Sequence, residues 1–201
     1  MQRMLKGTSN AKQVTVSFYA KANAAKTYVC ELKDFTNTRT VSKAFTVGTS
    51  YTRHEITFPA DTTGAITSDN AKGLSMNIWL HAGSTYSSGT LQTTWGAQVN
   101  ANRCPGIDSF YSSTDNTFFI TGVQMEVGES ASEFEHRTFN EELAMCQRYF
   151  IRVAAATNYS KFGVGRAWNA SNTAHVLYLP LTMITTTSFS HTTATNLRVS
   201  R

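Results

Sequence analysis

The alternation of apolar and polar positions along this chain points to strands. Val14, Val16, Phe18 and Ala20 alternate with Thr15, Ser17, Tyr19 and Lys21, the two-residue period of a strand that buries one face. Tyr28 to Leu32 and Val41 to Val47 carry the next strand signals, with the turn-forming run Asp34, Phe35, Thr36, Asn37 between them. His54 to Phe58 alternates again and stops at Pro59, and a polar loop follows over 61–70. In the clearest strand, Leu74, Met76, Ile78 and Leu80 face one way and Ser75, Asn77, Trp79 and His81 the other. The polar stretch 82–115 holds Tyr86, Trp95, Phe110 and Tyr111 and reads as surface loops with short strands. Phe118 to Val127 closes the series, with Val123, Met125 and Val127 on one face and Gln124 and Glu126 on the other. Short strands with one apolar face, and no long helix between them, are expected to pack as two sheets.

The pattern changes after Gly128. Thr138, followed three positions later by Glu141, has the form of a capping box, and 141–149 has helical character with Leu143, Cys146, Gln147 and Phe150 near one face. Strand signals resume at Tyr149 to Val153, Phe162 to Trp168, His175 to Leu181 and Leu197 to Val199. A tail of this length is marginal alone, so it is expected to pack on the sandwich, on a neighbouring subunit or on further sequence. The expected architecture is all-β: a jelly-roll β-sandwich over 1–130, a junction loop and short helix over 131–150, and a small C-terminal β region over 151–201.

Composition agrees with strands. Of the 201 residues 30 are Thr, and charged residues make up only 15%, against about 25% in typical soluble domains; Thr favours pleated, half-buried surfaces. The formal charge of +5 is spread without a basic run, which argues against a nucleic-acid partner. The first residues lack the apolar core of a signal peptide and no 18-residue apolar run occurs, so membrane insertion is not expected. Cys30, Cys104 and Cys146 are odd in number and irregularly spaced, and read as buried free thiols.

No nucleophile, metal or phosphate-loop motif is present, the five His show no ligand spacing, and no catalytic residue is assigned; the chain is not expected to be an enzyme. Loop oxygens at Asp61, Asp69, Asn70, Asp108, Asp115 and Asn116 would suit a structural calcium ion, although they are also ordinary turn residues; no cofactor is otherwise expected. Carbohydrate binding has a positive case. A sugar offers an apolar face rimmed by hydroxyls, so an aromatic platform beside amide and carboxylate groups suits it. On the outward strand faces those residue types are Tyr19, Asn77, Trp79, His81, Gln124 and Glu126, with Trp79 between Asn77 and His81 the leading platform. The competing reading is an outer face covered by other parts of the structure. Tyr86, Trp95 and Tyr111 either form a loop-built site or close an end of the sandwich.

Three segments are specific: FFITGVQMEVG at 118–128, FEHR at 134–137 and EELAMCQRYF at 141–150. Together they resemble a junction found in phage virion and tail-fibre-like proteins, where a carbohydrate-binding-module-like jelly roll ends in a similar strand and loop and passes into a helix. VTVSFYAK at 14–21, ITFPADTTG at 56–64 and NIWLHAG at 77–83 fit the same pattern, so the resemblance spans about 8–153. It implies docking roles for Phe134 and His136 at the exit strand and for Arg148 and Tyr149 at the helix. It also implies a virion structural protein at the tail or capsid surface, a receptor-binding or decoration module with host-surface carbohydrate and other virion proteins as partners, and a homo-oligomer, with a trimer favoured. A cellular carbohydrate-binding module and a glycan depolymerase are the alternatives.

Overall fold

A computed structural model describes residues 2–67, 69, 71–152, 164–167, 173–176 and 179–182. They divide into two units, Met1–Glu135 and His136–Arg201, so the exit segment 131–135 belongs with the sandwich. In the first unit the strands are β1 (Val14–Ala22), β2 (Lys26–Asp34), β3 (Arg39–Val47), β4 (Thr52–Phe58), β5 (Leu74–Trp79), β6 (Gly96–Ala97) and β7 (Phe118–Val127), with a one-turn helix α1 (Ser84–Ser87). The second unit has α2 (Phe139–Gln147) and a two-stranded antiparallel pair, β8 (Val164–Ala167) and β9 (Thr173–Val176).

The first unit is an all-β sandwich. One sheet has the order β4-β1-β7 and the other β5-β2-β3-β6, every neighbouring pair antiparallel. An eight-stranded jelly roll would need one strand more than the seven described. The predicted inward residues of β1 are those that fill the core: Val14, Val16, Phe18 and Ala20 meet Tyr28, Cys30 and Leu32 of β2, Val41, Phe45 and Val47 of β3, and Ile56 and Phe58 of β4. Rings interlock there, Phe18 edge-on to Phe45 at 5.1 Å and Tyr28 edge-on to Phe118 at 5.4 Å. Each such side chain, fully buried, contributes about 1.5–3 kcal/mol.

The turn expected after Asp34 forms the β2–β3 hairpin, held by the Asp34 carboxylate accepting from the Asn37 backbone N–H at 3.0 Å and its side-chain amide at 2.9 Å. Below it lies a buried ionic knot. Lys6 Nζ meets Asp34 Oδ2 at 2.5 Å and Asp61 Oδ2 at 3.0 Å, and Arg39 grips Asp61 with two bonds of 2.9 and 3.0 Å. Trp95 closes this end: its ring lies 5.1 Å from Lys6 Nζ and its Nε1 donates to Pro59 O. Burial alone would raise the Asp61 pKa; the hydrogen bonds from Arg39, Lys6 and Thr63 outweigh it and hold the carboxyl below its usual range.

Several expectations are corrected. Cys30 and Cys104 are buried, but Cys146 is exposed on α2. Burial, with the Glu31 carboxylate second, pushes the Cys30 thiol up to about 12, which leaves it inert. The helix starts at Phe139 because Thr138 and Glu141 do form a capping box. No strand forms over 149–152: the N–H groups of Tyr149 and Phe150 both turn back to Cys146 O at 3.0 Å and finish the helix. The pair β8–β9 falls within or beside the two middle C-terminal strand signals, while the Leu197 to Val199 signal lies outside the described residues. Val123, Met125 and Val127 do share the core-facing side of β7, yet remain 42%, 47% and 43% exposed. They lie on a sheet edge, since no strand among the described residues pairs beyond β7.

Candidate functional site

The six residues expected to form a sugar site lie on opposite outer faces of the sandwich: Asn77, Trp79 and His81 on or just past β5 of the four-stranded sheet, Tyr19, Gln124 and Glu126 on the three-stranded sheet.

On the four-stranded sheet the outer face is covered around Glu31 by the protein itself, while Ala44 and Thr46 of β3 stay exposed. Glu31, on β2 and fully buried, accepts from Asn77 Nδ2 at 2.9 Å, Trp79 Nε1 at 3.0 Å, and Arg103 Nε and Nη2 at 2.6 and 2.7 Å. The Arg103 guanidinium lies 4.8 Å from the Trp79 ring centroid and 5.5 Å from that of Tyr86, and the two rings are 5.3 Å apart. Trp79 thus has its indole N–H and one ring face engaged within the protein. The cover around Glu31 comes from the segment after β5, through Arg103 and Tyr86. His81 sits beyond the strand, its Nδ1 2.8 Å from Ser109 Oγ and its ring edge-on to Tyr111, which is 76% exposed.

On the three-stranded sheet, register arranges the outward side chains in rows. Pairing of β1 with β4 and β7 gives Arg53, Tyr19 and Thr121 in one row, Glu55, Ser17 and Gln124 in the next, and Thr57, Thr15 and Glu126 in the last. Phe119 pairs with Lys21 on one side, and Tyr51, one position before β4, reaches Lys21 from the other. A β-bulge between Ser17 and Tyr19 adjusts the register to β7; Gly122, at φ +60°, occupies it.

The lower two rows are strapped over by residues 128–135. Thr15 Oγ1 donates to Gly128 O at 2.9 Å and Thr57 Oγ1 to Glu129 O at 3.1 Å. Gln124 Nε2 donates to Ser132 Oγ at 3.0 Å, while its Oε1 accepts from Glu135 N at 2.9 Å. Glu126 accepts from the N–H and hydroxyl of Ser132, and Arg53 donates to Ser132 O. The Gln124 amide first, then Ser132, hold the Glu126 carboxyl below its usual pKa. Gln124 and Glu126 thus anchor the exit segment.

The upper rows are left open. Tyr51 and Phe119 are each 48% exposed and Tyr19 39%. Lys21 Nζ lies between two rings, 4.9 Å from the Tyr51 centroid and 5.2 Å from that of Phe119. Two aromatic rings against one ammonium, with Tyr19 exposed on the same strand face and the packed core behind the sheet, make a firm and partly apolar surface. Of the six expected residues only Tyr19 belongs to it. Lys21 was legible as its neighbour on the same strand face; Tyr51 and Phe119 join through pairings that the sequence pattern does not specify.

The oxygen groups considered for calcium are dispersed. Asp61 is neutralised by Lys6 and Arg39, Asp108 accepts from Thr27 N, Asp69 serves its own turn, and Asn116 donates to Phe110 O; Asn70 lies outside the described residues. Among the described residues no three His, Cys, Asp or Glu side chains converge as a metal site, and no helix is long and apolar enough to cross a membrane. No protein-family model, no curated protein and no solved structure matches this chain.

Proposed function

We propose that this chain is a recognition module of a bacteriophage virion, a tail-fibre or capsid-surface structural protein that binds host-surface glycan without catalysis. The observation that supports this reading best is the open upper half of the three-stranded sheet, where Tyr51 and Phe119 flank Lys21 and Tyr19 is exposed on the same face. Exposed rings on a rigid support suit stacking against the apolar face of a sugar, because little conformational freedom is lost on binding. The resemblance of 118–150 to the virion junction supplies the setting, with the sandwich taken as a jelly roll of the carbohydrate-binding-module kind. A homotrimer belongs to the same reading, and the half-exposed apolar row of β7 is the kind of surface that a neighbouring subunit would cover.

The test is a glycan array with the intact chain, its solution mass by light scattering, and the double variant Tyr51→Ala/Phe119→Ala. The expected result is glycan binding that the double variant loses with its melting temperature within a few degrees of the parent. A trimer that binds no glycan would reassign the chain to scaffolding or decoration. Release of oligosaccharides would make it a depolymerase. Glycan binding by a monomer would favour a cellular carbohydrate-binding module.

A further inference from the structure

The ammonium at the centre of the aromatic surface narrows the ligand class. We infer that the glycan is anionic and that Lys21 meets its negatively charged group, an inference that rests on the recognition role proposed for this surface. Among the described residues no carboxylate lies within ion-pair distance of Lys21, and the groups sharing its face are otherwise engaged. Glu55 pairs with Arg53 Nη1 at 3.2 Å. Glu126 is held by Gln124 and Ser132. The remaining cation of the face, Arg53, is committed to Glu55 and to Ser132 O. Among the described residues Lys21 is the cation of this face with no anionic partner.

Its position also suits capture of an anion. The Tyr51 and Phe119 rings attract the ammonium from either side, so that its place on the sheet is set before a ligand arrives. A charged group held in advance loses less side-chain freedom on pairing than a freely rotating lysine does. A neutral sugar stacked on these rings would strip water from the ammonium and offer only hydroxyls in return. A sugar bearing an acidic group would satisfy the rings through its C–H face and the ammonium through its anionic oxygens. The chain's net charge of +5 adds a weak long-range attraction for a polyanion. Carboxylate and phosphate share this chemistry.

The experiment uses the intact chain on an array of matched pairs: polygalacturonate and its methyl ester, sialylated glycans and their asialo forms, and a phosphorylated mannan and its dephosphorylated form. Lys21→Met keeps most of the stem over the rings and removes the charge; Lys21→Arg keeps a charge. The expected result is a preference for the charged member of at least one pair, which pair distinguishing carboxylate from phosphate. Lys21→Met should reduce that preference about fivefold, the size of one half-exposed charge contact, Lys21→Arg should retain it, and raising salt should weaken it. Equal binding of both members, or a preference that survives Lys21→Met, overturns the inference. If uncharged members bind and Tyr51→Ala/Phe119→Ala abolishes that binding, glycan recognition stands and only the anionic preference falls. If no member binds, the recognition role falls and this inference falls with it.

Discussion

Glu31 and Arg103, 72 positions apart in the chain, form a two-bond ion pair that joins the four-stranded sheet to the segment covering it. The Glu31 side chain is 0% exposed and that of Arg103 10%. A carboxylate with no access to water is tolerable only because four donors from Asn77, Trp79 and Arg103 surround it.

Removing the cation alone should therefore be severe. Arg103→Met is expected to destabilise the fold by about 3–5 kcal/mol by leaving a buried charge without its partner. The double variant Glu31→Leu/Arg103→Met should recover much of that loss, because no unpaired charge then stays buried at this site and only the Asn77 and Trp79 N–H groups lose their acceptor. Urea denaturation of the three proteins measures both effects, and a double variant as unstable as the single would refute the charge argument.

Stability should fall on mild acidification through His54. Burial, against the rings of Phe18 and Phe45 at 5.4 and 5.3 Å, lowers its pKa below the ordinary value. A base whose folded pKa is depressed takes up its proton more readily when unfolded. The stability is thus complete above the unfolded value of about 6.5 and is lost as pH falls from there through the lowered folded value. Asp61, also depressed, adds a second loss below the unfolded carboxylate value of about 3.9. Thermal melts from pH 8 to pH 3 should show two descending stages, and His54→Leu should flatten the first while sparing the second.

Gly122 is expected to resist substitution. Its φ of +60° is strained for a side-chain-bearing residue, and an added Cβ would approach Tyr19 Cδ2 to 3.3 Å and Phe134 Cδ2 to 3.7 Å. Gly122→Ala should cost about 1–2 kcal/mol. If the proposed glycan binding is found, Gly122→Ala should weaken it beyond the loss of stability, since Gly122 lies against Tyr19. Chemical denaturation and binding compared at a temperature well below the melt would separate the two effects.

The exposed edge of β7 should tolerate charge. Met125 faces the core side but is 47% exposed, so Met125→Lys forfeits little burial and is expected to change stability by less than about 1 kcal/mol. Because a charged residue discourages edge-to-edge pairing, the variant should associate less at high concentration. Sedimentation velocity over a concentration series would show this, and a large drop in melting temperature would mean that the row is covered more fully than its exposure indicates.

Period-two alternation was enough to place Val14, Val16, Phe18 and Ala20 inside, to set Tyr19 and Lys21 together outside, and to put Met125 and Gln124 on opposite faces of one strand. The Thr138–Glu141 capping box was equally legible, because both effects act over a few residues and need no partner from elsewhere in the chain. Alternation says which way a side chain points; it does not say what lies over it. Trp79 and Gln124 both point outward as expected, but one meets Arg103 from a distant loop and the other meets the exit segment at Ser132. Tyr51 and Phe119 come to Lys21 from neighbouring strands. Those neighbours follow from strand order and register, which the packing of Phe18, Tyr28, Phe45 and Phe58 in a shared core selects among many possible pairings. Inside and outside were local properties of this chain, whereas covered and open outer faces were decided only when the sheets closed on each other and the loops settled over them.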